Sequence, residues 1–209
     1  LAPEGSLQKE LYQMIRKRVE KNTVSDSIRQ KEDIQQEWYY FVWERMSDAS
    51  FVYRVTGEES LGRWIHNRIM ELVSLPEDAW IGPWFRPRPS GELTGTLETA
   101  YIALAICEAC LNAQELLSKE EWTAILKALS HKALVLLKRH VDRLYAGPHR
   151  EKSNWYMVTN CAYGITAAVL EREEEVRHAL DVLQITLGFF NKDSYGETLH
   201  YAEMASTYI

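Results

Sequence analysis

Apolar residues recur at three- and four-residue steps along almost the whole chain, and this feature restricts the fold to helices packed on helices. Leu7, Leu11, Met14, Ile15 and Val19 share one face of a first helix; Ile34, Trp38, Phe41, Val42 and Met46 share one face of a second. The run Phe51 to Val55 alternates poorly and is read as the end of that second helix rather than as a strand. Thr56 and Glu59 have the spacing of a capping box, in which a hydroxyl accepts from the third amide while the carboxylate reaches back. The helix it opens is expected to bury Leu61, Trp64, Ile65, Ile69 and Leu72. From Thr96 to Leu117 the chain is apolar on most sides, with Ala100, Ile102, Ala103, Leu104, Ile106 and Leu111, as in a helix enclosed by others. Ser118 and Glu121 form a second capping box, followed by Trp122, Ile125, Leu126, Leu129, Leu136, Leu137, Val141 and Leu144 up to a Gly147-Pro148 stop. Two further helices are predicted over 155–171 and 174–190.

The connections are of two kinds. Short ones, Gln114 to Lys119 and Leu170 to Glu174, favour antiparallel neighbours. A long one runs from Leu75 to Gly95 and contains Pro76, Pro83, Pro87 and Pro89 with Gly82, Gly91 and Gly95. Proline's missing amide and fixed φ argue against helix there, and its Trp80, Trp84 and Phe85 argue against disorder. The helix-hairpin rhythm matches helical arrays and toroids, and the chain is long enough for one sizeable core.

A net charge of −6 provides no basic footprint for nucleic acid, so an anionic polymer would need a local basic patch. No apolar run is long enough to span a membrane, and the residues from Leu1 onward do not read as a basic n-region followed by an apolar h-region. Cys107, Cys110 and Cys161 sit in apolar helical patterns; the CxxC spacing of the first two lacks a second ligand pair for zinc, so buried reduced thiols are expected, and no metal site is assigned. The 7 Trp and 11 Tyr suit cores, and equally suit stacking on sugar rings.

Three stretches carry candidate chemistry. In Asp78-Ala-Trp-Ile-Gly-Pro-Trp-Phe-Arg-Pro-Arg88, Trp84 with Arg86 and Arg88 can stack on a sugar and pair with its carboxylate or sulfate; equally, the tryptophans can staple a rim loop to the core. In His149-Arg-Glu-Lys-Ser-Asn-Trp-Tyr156, a helix start lies beside His149, Arg150 and Trp155, a place that favours an anion; simple capping by Ser153 or Asn154 explains it too. In Asn191-Lys-Asp-Ser-Tyr-Gly-Glu-Thr-Leu-His-Tyr201, a turn precedes Glu197 and Tyr201, which share a helical face; an ordinary helix with aromatic core contacts fits as well.

With the hairpins and the Trp/Pro/Gly loop, three motifs resemble the helical toroid of heparinase II/III-like polysaccharide lyases. They are Leu93-Thr-Gly-Thr-Leu-Glu-Thr-Ala-Tyr-Ile-Ala-Leu-Ala, Ser153-Asn-Trp155 opening a helix, and Asp193-Ser-Tyr-Gly-Glu-Thr-Leu-His-Tyr201. The resemblance implies an all-α fold of antiparallel hairpins forming an incomplete (α/α) toroid, a single domain over 1–209. It further implies that the chain is a piece of a longer protein with more helices and a β-sandwich, where a structural divalent metal is left open and no cofactor is expected in this segment. The implied activity is β-elimination on a uronic acid in an acidic polysaccharide, glycosaminoglycan or alginate. Asn154 matches the amide that neutralises the substrate carboxylate, with Asn160 competing for that role, and Tyr201 matches the acid or base. Trp84, Arg86, Arg88, His149, Arg150, Trp155, Glu197 and His200 would hold substrate. Ser194 stands where the family commonly has Gly. A secreted or periplasmic location follows from the resemblance alone. A glycoside hydrolase on a related toroid, or a helical scaffold that binds glycan or protein without turnover, are the alternatives; hydrolysis would require paired carboxylates, for which Asp193 and Glu197 are the tempting pair.

Overall fold

The computed structural model describes residues 3, 5–22, 36–82, 93–146 and 154–190, and every regular element among them is helical. They are α1 (Leu7–Asn22), α2 (Gln36–Thr56), α3 (Glu59–Ser74), α4 (Glu77–Trp80), α5 (Leu97–Ala113), a short 3-10 turn (Gln114–Leu116), α6 (Lys119–Ala128), a π-helical turn (Leu129–Leu134), α7 (Val135–Ala146), α8 (Asn154–Val169) and α9 (Glu173–Phe190). The fold is thus all-α, and Phe51 to Val55 does complete α2. These residues fall into two compact units, Leu1–Leu75 with Ala105–Ile125, and Pro76–Leu104 with Leu126–Ile209.

In the first unit α2 packs against both α1 and α3. Its buried stripe is Tyr39, Val42, Met46, Ala49 and Val52, an unbroken three-and-four spacing that leaves the expected Phe41 off the face and 44% exposed. The apolar face of α1 is less used than its periodicity suggests. Leu7, Leu11 and Met14 are exposed, and only Val19 is buried. Charge supplies the attachment instead: the Arg18 guanidinium makes a bidentate pair with Asp48 at 2.7 and 2.7 Å, the fork geometry that suits carboxylate best. Elsewhere in this unit the Trp43 indole donates to Glu108 at 3.0 Å and the Asn112 amide to Ser50 at 3.1 Å.

The two capping boxes have opposite outcomes. Ser118 N donates to Glu121 Oε2 at 2.8 Å while Glu121 N donates to Ser118 Oγ at 3.2 Å, the reciprocal pair expected. Thr56, by contrast, ends α2: its hydroxyl donates back to Val52 O at 2.9 Å, Gly57 adopts φ 65°, and α3 starts with Glu58 as an N-cap that makes no side-chain capping bond. The expected α3 core holds, with Arg68 added and Trp64 only half-buried. Proline does not keep all helix out of the long connection, because Pro76 can precede the single turn of α4 without offering an amide.

In the second unit the N-terminal part of α5 is enclosed on every side, from Leu97 to Leu104. In the first unit the same helix leaves Leu111 at 68% exposure, so enclosure fails only near its C-terminal end. The helix α8 packs against α7, the π-helical turn and α9. Gly164 makes the α8–α9 approach possible, since a Cβ there would meet Ala179 Cβ at 3.0 Å. The hairpin closes through a Schellman arrangement, with Arg172 N donating to Ala167 O at 2.9 Å and Glu171 N to Ala168 O at 3.1 Å. Glu171 occupies the left-handed position at φ 56°, where a Cβ is penalised. Glu171→Gly is therefore expected to stabilise the protein by about 1 kcal/mol, read as a higher urea midpoint at unchanged slope; a lower midpoint would contradict the strain assigned to this turn.

Candidate functional site

The sequence candidates divide sharply by location. Trp84, Arg86, Arg88, His149, Arg150, Glu197, His200 and Tyr201 lie outside the described residues, as do Asp193 and Ser194. Asn154 is the first residue of α8, and Trp155 follows it, half-buried, with Tyr156 buried next in line. A helix start exposes amides that no intrahelical carbonyl can satisfy, and it carries the positive end of the helix dipole. Asn154 and Trp155 thus fall at the end of α8 where an anionic group gains most from the backbone.

Asn160 has a different task. It is 4% exposed, and its Nδ2 donates to Ala179 O of α9 at 2.9 Å. One of its two amide N–H groups thus ties α8 to α9. Its Oδ1 has no hydrogen-bond partner and can only accept.

Trp80 shows which reading suits the start of the long connection. The side chain is fully buried, Lys132 Nζ lies 5.9 Å from its ring centroid, and the Thr99 hydroxyl donates to its carbonyl at 2.8 Å. Burial also pushes the Lys132 ammonium below its usual range, against the pull of Glu77. This stretch is stapled to the core, so sugar stacking by Trp80 is excluded.

Glu98, which the periodicity gave no reason to single out, is the most unusual acid among the described residues. It lies in the first turn of α5 with no exposure, accepts from the Thr96 hydroxyl through Oε2, and its Oε1 has no partner. Desolvating a carboxyl oxygen without a donor is costly, offset in part by the helix N-terminus. The signal available in the sequence was an acid amid an otherwise apolar segment. Gly82 makes this packing possible: a Cβ there would lie 2.2 Å from the Glu98 carboxyl carbon and 2.3 Å from its Cγ. Gly82→Ala should accordingly cost about 2 kcal/mol, within the range for overpacked sites, measured by urea unfolding; an unchanged midpoint would show that Glu98 can swing aside.

Among the described residues one further relay contains a tyrosine. Tyr163 OH lies 3.4 Å from His178 Nδ1, His178 Nε2 lies 3.6 Å from Asp142 Oδ1, and Lys138 Nζ holds Asp142 Oδ2 at 2.6 Å. Burial drives the Tyr163 phenol upward, with Glu175 and Asp142 adding to the effect. A phenol held in its neutral form by burial, with carboxylates adding to the effect, is a poor general base, so this relay is a packing contact between α7, α8 and α9. Cys107 and Cys110 are buried, and burial lifts the Cys110 thiol to about 12, which removes it as a nucleophile. Among the described residues no cluster of three His, Cys, Asp or Glu could hold a metal ion, and no helix is long and apolar enough to cross a membrane. No protein-family model matches the chain, and no curated protein matches it.

Proposed function

We propose that the chain is the helical part of a polysaccharide lyase that cleaves a uronate-containing acidic glycan by β-elimination, and that residues 1–209 belong to one α/α-toroid domain. The observation that supports this most directly is the position of Asn154 as the first residue of α8, while Asn160, its rival, is buried and bonded to α9. The motif resemblance asks for that placement.

The chemistry follows from the acidity of the C5 proton. It is poorly acidic while the neighbouring carboxylate is ionised, because abstraction builds a second negative charge beside the first. An amide donor and the positive end of a helix lower that cost in the transition state more than in the ground state. Asn154 supplies the amide. Tyr201 takes the C5 proton or protonates the leaving O4, and a phenol with an ordinary pKa near ~10 needs cationic neighbours to do so near neutrality. His149, Arg150 and His200 are placed in that role, while Trp84, Arg86, Arg88, Trp155 and Glu197 hold the polymer. The full native protein incubated with uronate polymers should generate the absorbance of a 4,5-double bond. New reducing ends without that chromophore would replace elimination by hydrolysis, and binding without either product would leave a scaffold.

A further inference from the structure

The first unit contains a second polar recess that none of the motifs used. It lies where α1 and the first turns of α3 flank a cleft of about 500 Å³, a size that accommodates a small polar ligand. Trp64 lines it, with the Arg68 guanidinium 6.0 Å from the ring centroid. Asn67, Ser60, Arg16 and Arg63 supply hydrogen-bonding groups around it. The cleft persists because α2 separates α1 from α3, and the two outer helices are bridged by Arg16 NH1 to Glu58 Oε2 at 2.6 Å.

Its electrostatics narrow the ligand. Each guanidinium already faces a carboxylate: Arg16 holds Glu58 and, at 2.9 Å, Glu20; Arg63 holds Glu59 at 2.7 Å; Arg68 holds Glu71 at 3.2 Å. An anionic ligand would have to displace those acids, and a cation would have to displace the arginines. What remains is a compensated array of donors and acceptors beside an indole. Guanidinium N–H groups not used in these pairs can donate, carboxylate and amide oxygens can accept, and the indole offers an apolar surface to C–H groups. A pyranose presents that combination: adjacent hydroxyls that donate and accept, and one C–H face.

We infer that this cleft is a binding site for a neutral hexopyranose unit. The inference does not rest on the lyase reading, since it uses none of its residues and involves no turnover. The test is NMR of the intact protein with its Trp64 indole signal assigned through Trp64→Phe, titrated with cellotriose, maltotriose and chitotriose, and with a uronate trisaccharide for comparison. A saturable shift of the Trp64 signal with at least one neutral sugar, unchanged by added salt, is expected. Asn67→Ala, at an exposed position, should weaken it roughly fivefold, the worth of one lost hydrogen bond, with unchanged thermal melting. Absence of a shift with every neutral sugar would overturn the inference. So would an undiminished response in Asn67→Ala, or a preference for the uronate that fades with salt.

Discussion

Asn154→Ala is expected to reduce elimination by the native protein roughly a hundredfold to a thousandfold, the loss typical of deleting one donor aimed at developing charge. The loss should fall in kcat more than in KM, because the amide matters most when the carboxylate-bearing carbon becomes anionic. Tyr201→Phe removes the proton-transfer group itself and is expected to bring turnover to background. The pH dependence provides a control that fold damage would not imitate. If the phenol acts as the base, activity in the parent protein rises with pH through its ionisation, and no residual limb of that kind survives in Tyr201→Phe. Helicity by circular dichroism should be retained in both variants, since Asn154 only begins α8. An active Tyr201→Phe protein would end the assignment of that residue, whatever the fate of Asn154.

Trp80→Ala is the substitution expected to cost most in stability, about 3 to 5 kcal/mol. The indole is among the largest fully buried side chains of the molecule, and its removal leaves a cavity that α4 and the π-helical turn cannot both collapse to fill. The bond from the Thr99 hydroxyl to the Trp80 carbonyl at 2.8 Å survives the change, so the loss reports on the ring's packing and its contact with Lys132. A denaturation midpoint shifted by less than half the expected amount would show that the ring is not integral to the core of its unit. Retained stability with lost glycan binding would restore the stacking role that burial excludes.

Comparing the two Thr/Ser-x-x-Glu patterns shows what the sequence made legible and what it did not. Ser118 and Glu121 cap each other as the pattern says, because Leu117 and Ser118 stand outside any helix and leave Ser118 free to open α6. At Thr56 the same spacing fails because α2 is still running there. The next residue is Gly57, whose positive φ ends that helix with its N–H on Tyr53 O, and the Thr56 hydroxyl donates backward to Val52 O while accepting from Glu58 N at 3.3 Å, one residue short of the amide a capping box uses. A local pattern cannot reveal that the preceding helix has not yet stopped. Periodicity likewise found the long helices among the described residues, but it assigned Phe41 to a face that Tyr39 occupies and gave α1 a core that it reaches only at Val19. Such choices depend on which neighbour arrives, a property of the assembled unit. For the candidate site, the motif placed Asn154 at the helix start correctly. The sequence could not tell that Asn160 donates across to Ala179, since that bond spans two helices. Glu98 stood out only as an acid in an apolar segment; its packing against Gly82, from a different segment, was not legible for the same reason.

The wide turn from Leu129 to Leu134 has a consequence for everything downstream of it. A π-type turn accommodates roughly one residue more than an α-helical turn, so the side chains of α7 are rotated by about 100° from where an uninterrupted helix would put them. That rotation presents Leu136 to Gly95, whose N–H donates to the Leu136 carbonyl at 3.0 Å, and directs His140 inward. Deleting a single residue there would keep the helix and change its phase, turning these groups away from the segment they now hold.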